Sequence, residues 1–293
     1  MSRLLIIDGH AYAYRAFHAI RSLHSPTGRP TNAIYGFVKM LEKMRTAIAP
    51  THLLVVWDGG LSAERLAALP EYKAQRSEMP DDMRPQLDEI RNYLTAAGLA
   101  DYCGEGIEAD DYIACVAQHG AEAGWEVVIA SADKDFMQLV SARIGLLNPN
   151  DKSGAIWGRE QVYAKAGVEP GQVVDWLALM GDAVDNIPGV PGIGPKTAAG
   201  LLKEFGSVEE LFARLAEVKS EKIQAALRAS AEVVKKNMEL VRLQNVPCEF
   251  APEKMKPQPA HNEKLRGLFR LWGFKGMLQE LDGLAQGQQA ELI

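Results

Sequence analysis

The chain has 293 residues, of which 47% are hydrophobic and 24% are charged, and its formal net charge is −6. This length allows one large or two modest domains, and the hydrophobic share is ordinary for a globular protein. No apolar run reaches the roughly 18–20 residues of a membrane span, and the apolar core of the first ten residues is too short for a signal peptide. The negative charge argues weakly against a nucleic-acid partner, unless metal-binding acids account for it and basic patches lie elsewhere.

The three cysteines are scattered and odd in number, at Cys103, Cys115 and Cys248. This pattern predicts neither a disulfide framework nor a zinc site. We therefore expect a reducing compartment, the cytoplasm.

Three short apolar runs in the first half of the chain end in aspartates. "RLLIID" ends at Asp8, "HLLVVWD" ends at Asp58, and "WEVVIASADKD" ends at Asp133 and Asp135. Short continuous runs of Leu, Ile and Val are typical of strands buried on both faces, hence of a parallel sheet.

Helical patterns lie between and after these strands. They cover residues 31–48, 84–98 and 108–124, each with an apolar stripe at helical spacing. This alternation predicts an α/β fold, a mainly parallel sheet flanked by helices. From about residue 162 the pattern is helical throughout and includes "SVEELFARLAEV", "KIQAALRASAEVVKKNMELVRL" and "LRGLFRLWGF". We expect an α/β core over residues 1–170 and a helical lobe over 171–293.

Acidic residues gather where the strands are predicted to end. In open α/β sheets, ligands bind outside the carboxyl ends of the strands. The motif "EADD" opens a helix nearby, and the i,i+3 spacing of Asp182 and Asp185 lets them share a helical face. The nine candidate metal ligands are Asp8, Asp58, Glu108, Asp110, Asp111, Asp133, Asp135, Asp182 and Asp185.

Carboxylates this dense would repel one another without cations. Oxygen-only ligands suit Mg²⁺ or Mn²⁺, and two such ions about 3.5–4 Å apart serve in-line phosphodiester hydrolysis. Each acid alone also has an ordinary interpretation as a cap, a turn residue or a charged helix start. Their joint placement favours a site with two or more ions.

Two further segments have features that are typical of phosphate binding. In the basic stretch after Gly60, Lys73 and Arg76 would share a face if helical, and Tyr72 could stack on a base. A solvated helix is the alternative for this stretch. Arg15 is a further candidate cation, for which an ordinary surface arginine is the alternative.

The second segment is the loop "GDAVDNIPGVPGIGPKTA". Its Gly189, Gly192 and Gly194 would let backbone N–H groups approach a phosphate, ahead of Lys196 and Thr197 at a helix N-terminus. The spacing matches neither a P-loop nor a Rossmann fingerprint, and a purely structural turn is the alternative.

Long ordered motifs resemble one known family. They are "DGHAYAYRAFHA", "TNAIYGF", "PEYKAQRSEMPDDMRPQL", "EADD", "ADKDFMQLV", "LALMGDAVDNIPGVPGIGPKTA" and "LRGLFRLWGF". Over nearly its whole length the chain resembles the 5′-to-3′ exonuclease domain of bacterial DNA polymerase I, within the flap endonuclease family. Two residues depart from the family pattern: Glu64 stands where Phe is common, and Ala132 where Gly is common.

The resemblance implies a PIN-like nuclease core, a helical arch over residues 60–85 and a helix–three-turn–helix DNA-binding element at about 182–215. It implies that Asp8, Asp58, Glu108, Asp110 and Asp111 hold a first metal ion and that Asp133, Asp135, Asp182 and Asp185 hold a second. It further implies catalytic roles for Lys73 and Arg76 at the scissile phosphate, and DNA contacts by Arg15, Arg65 and Tyr72. A K⁺ ion at the helix–three-turn–helix element is a further candidate.

The function that these features predict is a Mg²⁺-dependent 5′-3′ exonuclease and 5′-flap endonuclease of replication and repair. We expect a monomer that acts on DNA with a flap, nick or 5′ end, with RNA–DNA hybrids as further candidates and no membrane partner. Two alternatives stay open: a non-catalytic protein that binds branched DNA, and a metal-dependent phosphatase for small molecules. A nuclease alone and the front part of a longer polymerase are equally compatible with the sequence.

Overall fold

The computed structural model describes the backbone of residues 2–290 and the side chains of residues 2–283. The strands are β1 (Arg3–Asp8), β2 (His52–Trp57), β3 (Ala100–Cys103), β4 (Glu126–Ala130), β5 (Ile144–Leu147) and β6 (Ile156–Trp157). No helix among the described residues is both long and apolar enough to cross a membrane.

The helices follow in chain order. They are α1 (Gly9–Ala19), α2 (Asn32–Ile48), α3 (Ala63–Ala68), α4 (Arg84–Ala96), α5 (Ala109–Glu122), α6 (Arg159–Ala166), α7 (Val173–Met180), α8 (Pro195–Phe205), α9 (Val208–Ala213), α10 (Glu221–Ala229), α11 (Ala231–Val241), α12 (Pro252–Met255), α13 (Asn262–Trp272) and α14 (Lys275–Ala290). Short 3-10 helices cover Lys134–Leu139, Pro170–Gln172 and Leu215–Glu217.

The chain divides into two compact units. Unit 1 comprises Met1–Trp57, Glu78–Tyr102 and Ala251–Ile293, and unit 2 comprises Asp58–Ser77 and Cys103–Phe250. The predicted division into residues 1–170 and 171–293 remains a prediction.

Unit 1 is built around the strand order β3-β2-β1. Strands β1 and β2 are parallel, with Leu4 opposite His52, and the residues that follow in both strands are buried. A strand of a parallel sheet is covered by helices on both faces, so its side chains are apolar on both faces and its sequence is a continuous apolar run. At the end of β1, the Asp8 carboxylate accepts a hydrogen bond of 3.0 Å from the Ala11 N–H. Asp8 thereby caps α1 and satisfies one of its unpaired backbone donors.

Unit 2 contains β4 and β5 in parallel, with the two-residue β6 antiparallel to β5. Its helical part centres on α7, whose sequence "VVDWLALM" is mostly buried. Helices α8 and α11 pack against α7. All but two of the predicted site residues, Asp8 and Arg15, belong to this unit.

The predicted α/β fold with a mainly parallel sheet and flanking helices is confirmed. The pattern over residues 222–243 is divided between α10 and α11, because Ser230 leaves the helical conformation with φ −107° and ψ 12°.

The expectation that the cysteines form no disulfide is wrong. Cys115 on α5 and Cys248 are bonded, with an S–S distance of 2.04 Å and a Cα–Cα distance of 6.3 Å. They lie 133 residues apart in sequence. Spacing could not reveal the pair, because only the folded path of residues 242–250 brings Cys248 back to α5. Cys103 is the free cysteine and is exposed.

Candidate active site

Asp133 and Asp135 follow β4 at the start of a 3-10 helix. The Asp133 carboxylate caps this helix by accepting a hydrogen bond of 2.9 Å from the Asp135 N–H. The Ser131 hydroxyl in turn accepts one of 3.1 Å from the Asp133 N–H. The turn is therefore formed with an exposed Ala132 at the position where the family commonly has Gly.

Asp182 and Asp185 lie in a tight turn and not on a helix, which corrects the expected reason for their proximity. The N–H and C=O groups of Asp182 pair with those of Ile187 at 2.9 and 2.7 Å and close the turn. Gly181, the residue before this turn, has φ +74°, and Asn186 within the turn lies in the left-handed region with φ +58°. Asn tolerates this conformation better than most side chains.

Three of the nine predicted ligands converge. Asp135, Asp182 and Asp185 each present a carboxylate oxygen, and these oxygens lie within 4.8 Å of one another. The Oδ1 atom of Asp135 is buried and has no hydrogen-bond partner among the described residues. Burial, and then the negative charge of Asp133, raises the pKa of Asp135 well above its usual range. A buried acceptor without a donor, in a cluster of like charges, fits a hard divalent cation.

Cations surround this acidic triad, by which we mean Asp135, Asp182 and Asp185. Lys134 donates to Asp182 at 2.5 Å, and Arg76 donates to Asp185 at 2.7 Å. Burial would lower the pKa of Lys134, but its hydrogen bond to Asp182 and the neighbouring acids outweigh burial and raise it. Both side chains are therefore held in their charged forms.

Glu108 is the centre of a second, buried cluster. Its side chain is 1% exposed, and its carboxylate forms ion pairs with Lys73 and, at 3.1 Å, with Arg65. The same carboxylate accepts hydrogen bonds from the Tyr72 hydroxyl at 3.2 Å and from the Ser62 N–H at 3.0 Å. Burial alone would raise the pKa of Glu108, but the charges of Lys73 and Arg65 lower it. Glu108 therefore remains ionised and anchors both cations.

Arg65 and Asp111 form a two-armed ion pair, with N–O distances of 2.7 and 2.8 Å. Arg65 is 3% exposed and also donates to the carbonyls of Leu240 and Arg242 at 3.0 and 3.1 Å. The Gln244 N–H donates to Asp111 at 2.7 Å. A DNA contact by Arg65 stays a prediction, and it would require the side chain to leave these partners.

Lys73 joins the basic stretch to the turn that holds Asp185. Its N–H donates to the Asp185 carbonyl at 3.1 Å, and its ammonium lies 3.9 Å from the Asp185 carboxylate. Residues 70–75 form turns, so Lys73 and Arg76 do not share a helix. Lys73 has φ +55°, a strained conformation of the kind found at functional sites. Burial would lower its pKa, but Asp110, Asp185 and Glu108 raise it.

Tyr72 is 3% exposed and packs against two cations. The Lys73 ammonium lies 4.9 Å and the Arg65 guanidinium 5.9 Å from the centre of its ring. Burial is the largest cause that raises its pKa, so the hydroxyl stays protonated. Stacking of Tyr72 on a base remains a prediction.

The other predicted ligands lie at helix starts. Asp58 accepts a hydrogen bond of 2.9 Å from the Ala109 N–H at the first residue of α5, and Asp110 lies in the first turn of the same helix. Asp8 belongs to unit 1, where it caps α1. Arg15 is exposed on α1. The roles assigned to these four residues stay predictions, as do those of Glu108 and Asp111 as ligands.

Gly189 has a structural reason to be glycine. A Cβ atom there would lie 2.1 Å from the Met180 carbonyl oxygen. At Gly194, by contrast, a Cβ would meet nothing within 4 Å, whereas Gly192 has open space around it but lies at φ +83°, a conformation that favours glycine. Gly194 precedes α8 as its N-cap, and Lys196 is exposed in the first turn with Thr197 beside it. Contact of this loop with DNA remains a prediction.

Sequence reasoning missed two residues of this region. Lys134 lies between two acids in "DKD", and that alternation was the available signal for a cation at the site. Asn237 on α11 is buried and donates to the carbonyls of Ala178 and Pro188 at 3.0 and 2.6 Å. It fixes α7 to the loop after Asp185, and no local pattern indicates this.

Two family models match the chain. The 5′-3′ exonuclease N-terminal resolvase-like domain matches residues 3–167, and the 5′-3′ exonuclease C-terminal SAM fold matches residues 168–263. Together they cover most of the chain.

The relatives fall into two length classes. A 5′-3′ exonuclease of Aquifex aeolicus is 38% identical over 297 residues, which cover 100% of both chains. DNA polymerase I of Bacillus caldotenax is 37% identical over 295 residues, which cover 99% of this chain and 33% of that protein. The chain thus spans about a third of the DNA polymerase I relatives it matches.

A solved structure supports the same similarity. The T5 5′-exonuclease with bound divalent metal ions (zinc) superposes with a TM-score of 0.69 and 27% identity, covering 82% of this chain and 89% of that one.

Proposed function

This chain belongs to the 5′-3′ exonuclease family, and on that premise we propose that it hydrolyses DNA phosphodiester bonds at 5′ ends and 5′ flaps with Mg²⁺ or Mn²⁺. One observation carries the proposal: the acidic triad lies beside Lys73 and Arg76, which are both ion-paired to Asp185. Carboxylates that hold a divalent ion, next to cations that receive a phosphate, are what phosphodiester hydrolysis requires.

Asp135, Asp182 and Asp185 are the residues that would hold the ion, with Asp133 as its fourth predicted ligand. Their donor set is oxygen only, and the partnerless Asp135 Oδ1 offers a ready ligand. When bound, a divalent ion supplies charge neutralisation and activation of water for attack at phosphorus. The other ion of the predicted pair, with Asp8, Asp58, Glu108, Asp110 and Asp111 as its predicted ligands, belongs to the same proposal.

Lys73 and Arg76 are proposed to receive the scissile phosphate. The neighbouring acids keep Lys73 protonated, and Arg76 donates to Asp185 while 41% of its side chain is exposed. Fixed cations stabilise the charge that develops on the transferring phosphoryl group, because they need no reorganisation during reaction. Glu108 contributes by positioning Lys73.

The substrate is proposed to be duplex DNA with a 5′ flap, nick or 5′ end, with an RNA–DNA hybrid as a further substrate. The loop of Gly189, Gly192 and Gly194, with Lys196 and Thr197, would hold the duplex backbone without reading its sequence. K⁺ at this loop, contacts by Arg15, Arg65 and Tyr72, a monomeric state and a bacterial cytoplasmic location complete the proposal.

The test uses the full chain and a 5′-flap duplex labelled at either end. We expect cleavage with Mg²⁺, none with EDTA, and a large loss in Asp133→Ala, while Asp88→Ala on the exposed face of α4 cleaves normally. Flap binding without cleavage would favour the non-catalytic alternative. Hydrolysis of a small phosphomonoester in preference to the flap would favour a phosphatase.

A further inference from the structure

A second group of metal-ligating side chains lies at the other end of α5 from its acids. Cys115 and His119 are one helical turn apart on α5, and Cys248 reaches them from the segment after α11. The Sγ atoms of Cys115 and Cys248 lie 3.7 and 3.5 Å from His119 Nδ1. All three ligand atoms lie within 4.8 Å of one another. None of these residues takes part in the proposed nuclease chemistry.

These distances resemble those of a tetrahedral zinc site. Zn–S bonds of about 2.3 Å and Zn–N bonds of about 2.0–2.1 Å place S and N about 3.6 Å apart and two S atoms about 3.8 Å apart. Both sulfur–nitrogen distances at His119 already match. The two sulfurs, now 2.04 Å apart in the disulfide, would have to separate by rotation of the two side chains after reduction.

We propose that the reduced form of this chain binds one Zn²⁺ ion, or a similarly soft divalent ion, through Cys115, His119 and Cys248. A dithiol reductant is oxidised to its disulfide as the Cys115–Cys248 bond takes up two electrons and two protons. The ion then binds two thiolates and the neutral imidazole, and two protons are released. Because three protein ligands leave one tetrahedral position, water occupies the fourth.

The ligand chemistry separates this site from the acidic triad. Thiolate and imidazole are soft or intermediate donors that select zinc, whereas carboxylate oxygens select magnesium and manganese. His119 is exposed and Cys248 is half-buried, so an ion can enter from solvent. In a reducing compartment the thiols are available for it.

The site also affects the buried ion pair of Arg65 and Asp111. Residues 242–250 carry Cys248, and the same segment supplies the Arg242 carbonyl to Arg65 and the Gln244 N–H to Asp111. A disulfide in the oxidised chain, or an ion in the reduced chain, fastens this segment to α5. The ion would therefore keep the Arg65–Asp111 pair in place where the disulfide has opened.

The test uses the full chain and Co²⁺ as an optical probe for Zn²⁺. The chain is reduced and freed of reductant without air, and a thiol assay then verifies three free thiols instead of one. We expect one equivalent of Co²⁺ to produce a thiolate-to-cobalt charge-transfer band with the visible bands of tetrahedral cobalt, and one equivalent of Zn²⁺ to remove them.

Matched variants assign the ligands. Cys103→Ser, at the exposed free cysteine, should keep the full band. Cys115→Ser and Cys248→Ser should lose most of it, and His119→Ala should weaken Co²⁺ binding at least 10-fold. Circular dichroism verifies the fold of each variant. A fully reduced wild type without the band would overturn the proposal, as would an unchanged band in Cys115→Ser or a band lost in Cys103→Ser.

Discussion

Lys73 contacts Asp185 twice, through a backbone hydrogen bond of 3.1 Å and through an ammonium–carboxylate distance of 3.9 Å. The basic stretch and the acidic turn are thus fixed to each other at main-chain and side-chain level. A phosphate that meets the Lys73 ammonium would also be close to the carboxylates that hold the metal ion. Catalytic geometry of this kind depends on rigid support, because small displacements cost large factors in rate.

Lys73→Ala should reduce turnover far more than DNA affinity. Removal of a fixed cation from the transferring phosphate costs about 10²–10³-fold in kcat, as for other preorganised donors. Single-turnover cleavage and flap binding, measured on the same preparation, separate the two effects. Lys222→Ala, an exposed lysine on α10, is the control and should match the wild type. Equal losses in rate and affinity would mean that Lys73 only binds substrate.

Asp135→Asn should stabilise the metal-free chain at neutral pH. The pKa of Asp135 is raised in the folded state. The stability that its protonated carboxyl contributes is therefore fully present below the unfolded-state pKa of about 3.9, and it is lost as the pH rises through the folded-state pKa. Asn carries no charge and avoids this loss. In EDTA at pH 7 we expect a Tm several degrees above wild type, since about 1 kcal/mol corresponds to ~2–4 °C in a chain of this size.

The same comparison at about pH 4 or below, near the ordinary pKa of aspartate, should show the difference shrinking towards zero. A pH-independent difference would mean that the Asp135 charge is not its source. Added Mg²⁺ should raise the Tm of the wild type but not that of Asp135→Asn, because only the wild type keeps the full triad.

Arg65→Leu should destabilise unit 2 by about 3–5 kcal/mol, because it leaves Asp111 and Glu108 buried with fewer partners. Arg65→Lys should recover little of this loss, since an ammonium cannot reproduce the two-armed contact with Asp111. Chemical denaturation measures both changes. Glu64→Ala is the adjacent control, and it should stay within about 0.5 kcal/mol because Glu64 is exposed in the first turn of α3. A comparable loss in Glu64→Ala would attribute the effect to the helix and not to the ion pair.

Gly189→Ala should destabilise the fold by about 1–3 kcal/mol, the usual cost of an atom forced into a packed region. The added Cβ would lie 2.1 Å from a backbone carbonyl oxygen, which cannot move like a side chain. Gly194→Ala, where a Cβ meets nothing within 4 Å, is the matched substitution in the same loop. Thermal melts of the two variants should differ clearly, and equal melting temperatures would contradict the packing reason for Gly189.

The sequence predicted strands β1, β2 and β4 and the acids that follow them, because both are local patterns. The run "RLLIID" gives β1 with the expected bounds, and Asp133 and Asp135 follow β4 after Ser131 and Ala132. Strands β3, β5 and β6 were not predicted, since four- and two-residue strands carry too little pattern.

The partners within the site could not be predicted because they depend on long-range contacts. The local sequence around Arg65 is typical of an exposed cation. In the structure Arg65 instead binds Asp111, 46 residues later on α5, and the Leu240 carbonyl, 175 residues later. The disulfide of Cys115 with Cys248 escaped prediction for the same reason. Asp182 and Asp185 were correctly paired, but a turn and not a helix brings them together.

The sharpest test of metal binding by the acidic triad is the dependence of single-turnover flap cleavage on Mg²⁺ concentration. If Asp135, Asp182 and Asp185 hold an ion that the reaction needs, Asp135→Asn should require much higher Mg²⁺ for half-maximal rate or lose cleavage, while flap binding in Ca²⁺ stays near wild type. An unchanged Mg²⁺ dependence and an unchanged rate in Asp135→Asn would contradict the assignment of the acidic triad as the metal site.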